Sequence, residues 1–182
     1  MIRNQTTIVL AIAAVAAFAF ACSGSKPSTT PSQSAQSQKT QVPEAPTALP
    51  NTAFKAEISL VDPPAKLRAG QKEIVRVKIK NASNEIWWAR GAPVNTRSDN
   101  RFYIAAGDRW LKADGSLMTD MDGRYGIGKD LKPGEETEVP LAITAPKDPG
   151  EYTLEVDLLQ EQVAWFREKG SPTAKAKVTV TK

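Results

Sequence analysis

The chain has 182 residues, no histidine and a single cysteine, and its 24 Lys+Arg against 20 Asp+Glu leave a formal net charge of +4. Without histidine there is no His-based acid–base pair, no Ser-His-Asp or Cys-His nucleophile set and almost no route to a zinc site; with one cysteine there is no disulfide within the chain. The charge excess is small and spread along the chain, which argues against a nucleic-acid partner, and no residue set asks for a cofactor.

Residues 1–21 read as a signal peptide. Arg3 supplies a positive start, and residues 8–21 form an uncharged apolar run, shorter than the ~20 residues a membrane-spanning helix needs. Ala19-Phe20-Ala21 then puts small residues where a signal peptidase requires them, and Cys22 follows at once. The segment resembles a bacterial lipobox, with Ala21 before and Cys22 after the cleavage point. It departs from the usual pattern in having Ala19 and Phe20 where Leu and a small residue are preferred. The resemblance implies acylation of Cys22 by palmitate-type chains and a membrane partner reached through that lipid. The alternative is ordinary cleavage that leaves a free thiol, a liability in an oxidising compartment. Ser23 is not the Asp that marks inner-membrane retention in some bacteria, which favours the outer membrane where there is one.

The rest of the segment 22–50 is Ser, Thr, Gln, Pro and Ala with few bulky apolar residues. It cannot bury enough surface to offset the entropy of ordering, so a disordered linker is expected. The folded domain is expected over residues 51–182. Phe54, Ala56, Ile58 and Leu60 alternate with polar residues, as do Val75, Val77 and Ile79, the pattern of half-buried strands. Asn81 to Asn84 turn the chain into a third strand at residues 85–88. Residues 101–104 and 109–112 read as one or two more, with Gly107-Asp108 as a hairpin turn. A glycine-bearing loop is expected over residues 120–132. A strand through Thr137, Val139, Leu141 and Ile143 follows, with Pro140 on its outward face or at an edge. Tyr152, Leu154, Val156 and Leu158 form the central strand. Ala174, Ala176, Val178 and Val180 form the last. The only helical candidate is a turn at residues 160–167. About seven short strands without a long amphipathic helix make an all-β, antiparallel sandwich.

Several pieces carry a resemblance: Asn81 and Asn84 before Trp87-Trp88, Trp110 to Gly115, Asp122-Gly123-Arg124, Pro133-Gly134-Glu135, Ala145-Pro146, Pro149 to Tyr152, and Trp165-Phe166. Their order is similar to that of Ig-like accessory domains of bacterial envelope and cell-surface proteins. It is loosely similar to the Trp-containing Ig-like domain of a eukaryotic autophagy cargo receptor. Tyr152, just after a Pro-Gly turn, looks like the tyrosine corner of such sandwiches. The resemblance implies an Ig-like fold, here without the usual cysteine pair, and leaves the ligand unassigned.

Exposed aromatics beside arginines suit a glycan or protein surface. Trp87, Trp88, Arg124, Tyr125, Trp165 and Phe166 are the ligand-binding candidates, against the simpler reading that the rings complete the core. Trp87 and Trp88 are adjacent on an extended segment, so one should face the core and the other outward. Asp120-Met121-Asp122-Gly123 resembles the start of a calcium loop but lacks the later ligands; as a hydrolytic pair the two carboxylates need a groove around them. The expected function is therefore non-enzymatic: a lipid-anchored cell-envelope module that binds an envelope protein or glycan. The alternatives are a subunit that stabilises an envelope complex through an apolar strip around Trp87 or Trp88, and a carboxylate-dependent hydrolase.

Overall fold

With no disulfide to staple the sheets, the fold must rest on side-chain packing and backbone pairing. The computed structural model describes residues 46–90, 99 and 101–182, the side chains of 121 and 122 excepted. The expected signal peptide, Cys22 and the linker as far as residue 45 lie outside the described residues. The strands are β1 (Ala56–Val61), β2 (Lys66–Arg68), β3 (Lys72–Asn81), β4 (Ile104–Lys112), β5 (Leu117–Gly126), β6 (Glu136–Thr144), β7 (Gly150–Gln160), β8 (Ala164–Trp165) and β9 (Ala174–Thr181). One sheet runs β1-β3-β6; the other runs β2-β9-β7-β4-β5, with β8 added beside β7. All pairings are antiparallel except β2 with β9, which is parallel. The architecture is an Ig-like β-sandwich.

The alternation read from the sequence sets which face of each strand turns inward. Val75, Val77 and Ile79 of β3, Val139, Leu141 and Ile143 of β6, and Leu154, Val156 and Leu158 of β7 are all buried in one core. On the outer face of the smaller sheet, Lys80 pairs with Glu57, Lys78 with Glu136, and Arg76 with Glu138 and Asp62. These pairs are solvent-exposed and contribute little to stability; they make that face a neutral, hydrated surface. Pro140 lies exposed on β6, an edge strand where its missing N–H breaks no ladder.

Four expectations are corrected. Residues 85–88 do not form a strand: only Trp87 bridges to Leu131, and the buried Asn81 side chain ties the segment beside that bridge, donating 2.8 Å bonds to Glu85 O and Leu131 O. The two segments around Gly107-Asp108 are one strand, β4, and those residues pair through Asp157 and Val156 instead of turning. The glycine-bearing loop is in its first half the strand β5, which bulges where Gly107 and Arg109 of β4 meet Arg124 and Asp120. Gly123 lies where this edge meets β6: a Cβ there would stand 2.8 Å from the Ala142 carbonyl oxygen. The turn at residues 160–167 is a tight β7–β8 connection followed by a 3-10 turn, Arg167–Lys169.

The folded part also begins before Asn51. Gln160, buried at the end of β7, accepts a bond from Leu49 N (2.8 Å) and donates to Thr47 O (2.8 Å) and Phe102 O (3.0 Å). One side chain thus ties the entering chain to the central strand.

The tyrosine corner is present: Tyr152 Oη donates to Asp148 O at 2.9 Å. Tyr152→Phe removes this bond and leaves the ring, and should cost about 1 kcal/mol. Phe166→Ala, which empties a core site, should cost about 3–5 kcal/mol. Urea denaturation of both variants checks the order; equal midpoints for Tyr152→Phe and the parent chain would show that the corner is dispensable.

Candidate binding surface

Strand β7 sits between β9 and β4, and residues in direct cross-strand register share a face. On the outer face of the larger sheet this produces an unusual pattern. Tyr152, Leu154, Val156 and Leu158 point inward as expected, but the outward residues Glu155, Asp157 and Leu159 are buried as well. The expected half-buried strand is buried on both sides over residues 154–160.

Both buried carboxylates of β7, Glu155 and Asp157, are matched by neighbouring elements. Glu155 accepts from Thr173 Oγ1 (2.6 Å), from Arg109 Nε on β4, and pairs with Lys175 Nζ (3.2 Å) on β9. Burial by itself would push the Glu155 carboxyl up; the bonds from Thr173, Arg109 and Lys175 together outweigh it and hold the group below its ordinary range. Asp157 accepts from Leu158 N (2.7 Å), Arg167 N (3.2 Å) and Arg167 Nη1 (3.1 Å). Here burial dominates, and the carboxyl is raised despite Arg167.

Trp165 of β8 lies on this face over Gly107. A Cβ on Gly107 would come within 2.8 Å of Trp165 Cη2, so a side chain there would push the ring from its place. The Arg167 guanidinium sits 4.4 Å from the Trp165 ring centroid, a cation–π contact, and Trp165 N donates to Glu168 Oε2 (3.1 Å). Next to it Arg124 Nη1 pairs with Glu161 Oε2 at 2.7 Å. That pair separates two clefts. One, of about 350 Å³, is bordered by Trp165, Gln162, Val163 and Glu168; the other, of about 300 Å³, by Arg90, Tyr103 and Ala105. Phe102 (φ 73°) and Gln162 (φ 59°) hold left-handed backbone at this end, a costly conformation for non-glycine residues.

The sequence-derived candidates divide accordingly. Trp87 and Phe166 are fully buried, their rings 5.0 Å apart and edge-to-face, with Phe54 on the other side of Phe166; neither can present a ring to a ligand. Trp88 is half-buried and borders a cleft of about 110 Å³ with Leu49, Pro50 and Ile86, so the adjacent tryptophans do part as expected. Arg124 and Glu161 line both clefts, and Trp165 lines the larger. Tyr125 is 44% exposed on β5. Asp120 is exposed on β5 opposite Arg109. Among the described residues no three His, Cys, Asp or Glu side chains converge as a metal ion would require. Sequence reasoning missed Glu155, Asp157, Gly107 and Gln160. The only signal was two carboxylates at alternate positions, 155 and 157, ordinary for a solvated face, with a glutamine closing the strand.

No family model matches the chain, and no curated protein matches it. Among solved structures it is similar to the CARDB domain of PF1109 from Pyrococcus furiosus, with TM-score 0.42 and 13% identity over 70% of this chain and 94% of that one. It is similar to a beta-glucosidase from Listeria innocua, with TM-score 0.42 and 15% identity over 70% of this chain and 16% of that one. It is also similar to the sporulation control protein Spo0M from Bacillus subtilis, with TM-score 0.37 and 15% identity over 70% and 49%. At such scores these likenesses carry no functional argument.

The two buried carboxylates of β7 titrate with opposite sign. Glu155, depressed when folded, contributes stability that is present above its ordinary value of 4.5 and lost as pH falls through its folded value. Asp157, raised when folded, contributes stability below 3.8 that is lost as pH rises through its folded value. Glu155→Gln should therefore be less stable than the parent at pH 7, with the gap closing below about pH 4.5. Urea midpoints from pH 3 to 7 measure this; a pH-independent gap would contradict it.

Gly107→Ala should expel Trp165 from its seat and raise the accessibility of its ring. Acrylamide quenching and a near-UV circular dichroism spectrum would register the change, and spectra identical to the parent's would refute the contact.

Proposed function

We propose that this chain is a non-enzymatic binding or scaffold module of the bacterial cell envelope, anchored through lipid on Cys22 and contacting an envelope protein or glycan. The anchor rests on the sequence around Cys22. Among the described residues no helix is long and apolar enough to cross a membrane, a statement that leaves the mode of attachment open. The binding role is supported chiefly by one observation: the Arg124–Glu161 pair stands between two clefts at the end of the sandwich, with Trp165 beside it. Donors and acceptors next to a half-buried indole are the chemistry of polar recognition. The clefts lie at the end of β7 where Gln160 receives the entering chain, so an anchored domain would hold them near the root of its tether.

Mass spectrometry of the mature N-terminus tests the anchor. Acylated Cys22 is the expected result; a mature chain with a free Cys22 thiol would remove it. The binding role is tested by capture from envelope extracts and by a glycan array. The expected signal falls at least tenfold in Arg124→Ala, and no capture together with no array signal would refute the reading.

A further inference from the structure

The outer face of the larger sheet carries a second pattern, away from the clefts. Lys175 of β9 is in register with Glu155 of β7, Glu155 with Arg109 of β4, and Arg109 with Asp120 of β5. Four side chains of alternating sign thus cross four strands in one row, about 14 Å long at the usual strand spacing. The next row is Lys177, Thr153, Leu111 and Leu117, again in direct register. Lys175, Lys177 and Asp120 are exposed, and Leu117 is 51% exposed on this face although it is apolar.

We propose that this face is a self-association surface whose partner is a second copy of this chain. The charge row selects both the partner and the arrangement. A two-fold axis lying between the stacked sheets, parallel to the strands and midway between β7 and β4, sends each row onto itself reversed. Lys175 then faces the second copy's Asp120, while Glu155 and Arg109, already paired within each chain, fill the middle of the row. In the next row Leu117 meets the Lys177 stem and Leu111 meets Thr153. No like charges oppose one another in either row. Turning the axis to run across the strands brings Lys175 onto Lys175 when the axis lies on the first row and Lys175 onto Lys177 when it lies between the two rows, both of which are repulsive. The row is therefore complementary to itself in one orientation and antagonistic in the other, which is how isologous interfaces set their register. Two rows over four strands are smaller than a standard interface, so the dimer is weak, forming at roughly 0.1 mM.

The test uses the full mature chain carrying Cys22→Ser, so that neither lipid nor thiol can link copies. Sedimentation equilibrium up to about 1 mM should show a mass rising from one chain toward two, less so at high salt. Asp120→Lys, at an exposed edge-strand position, should weaken association at least tenfold, as should Leu117→Glu. Lys175→Glu should also abolish it alone, yet an equimolar mixture of Asp120→Lys and Lys175→Glu should associate, because every contact in that heterodimer is again between opposite charges. Lys175 also serves Glu155, so its variant is checked by thermal unfolding. If it fails to fold, Asp120→Lys and Leu117→Glu carry the test. A parent chain that stays monomeric at 1 mM overturns the proposal. So do Asp120→Lys and Leu117→Glu variants that associate as tightly as the parent, or a mixture of folded variants no better than either alone.

Discussion

The central constraint in this structure is that β7 is buried on both faces while carrying two carboxylates on one of them. A buried carboxylate without partners costs several kcal/mol, so neighbouring elements must supply cations and donors at fixed places. Arg109 on β4, Lys175 on β9 and Thr173 before it meet Glu155; Arg167, in the 3-10 turn after β8, meets Asp157. Meeting Asp157 brings the chain back over the sheet. That return lays Trp165 on Gly107 outside and drives Phe166 inside against Phe54 and Trp87. The polar outer face and the aromatic end of the core are consequences of one strand's needs.

Two other buried polar side chains act in the same way. Asn81 is fully buried, donating to two carbonyls and accepting from Ser83 N and Oγ; it replaces a strand pairing with a compact knot that presents Trp87 to the core. Gln160 joins the entering chain, the Phe102 loop and the central strand. In a sandwich without a disulfide, such fully bonded groups specify geometry that apolar packing alone leaves loose. They also explain why the clefts stand where they do. Gln160 and Glu161 close β7 at the point where Phe102 and Gln162 take up left-handed backbone, and irregular chain around a rigid strand end leaves room between its turns.

Much of the fold was legible. Strands β1, β3, β6 and β9 follow from alternation because their side chains divide between core and exterior, β7 follows from the alternation of its inward residues, and the tyrosine corner follows from Tyr152 after a Pro-Gly turn. Strands β4 and β5 were misread because glycine and aspartate mark turns in most contexts. Here Gly107 makes room for an indole, and Gly123 for a neighbouring carbonyl. The aromatics were legible as a group but not individually. Trp165 and Phe166 are adjacent and chemically alike to a sequence reader, yet the chain leaves β8 for the 3-10 turn between them, with one ring outside and the other in the core. For the same reason Glu155 and Asp157 looked like a solvated face, since nothing local marks a strand flanked on both faces.

The sequence by itself determined the Cys22 lipobox-like site, the polar linker and the all-β class, because these depend on composition and on periodicity within short windows. The tertiary structure alone decided which carboxylates are buried, which tryptophan meets solvent, and which charges line up across β9, β7, β4 and β5. Those properties belong to residues brought together from distant parts of the chain by strand register, and register is set by the packing of the whole sandwich.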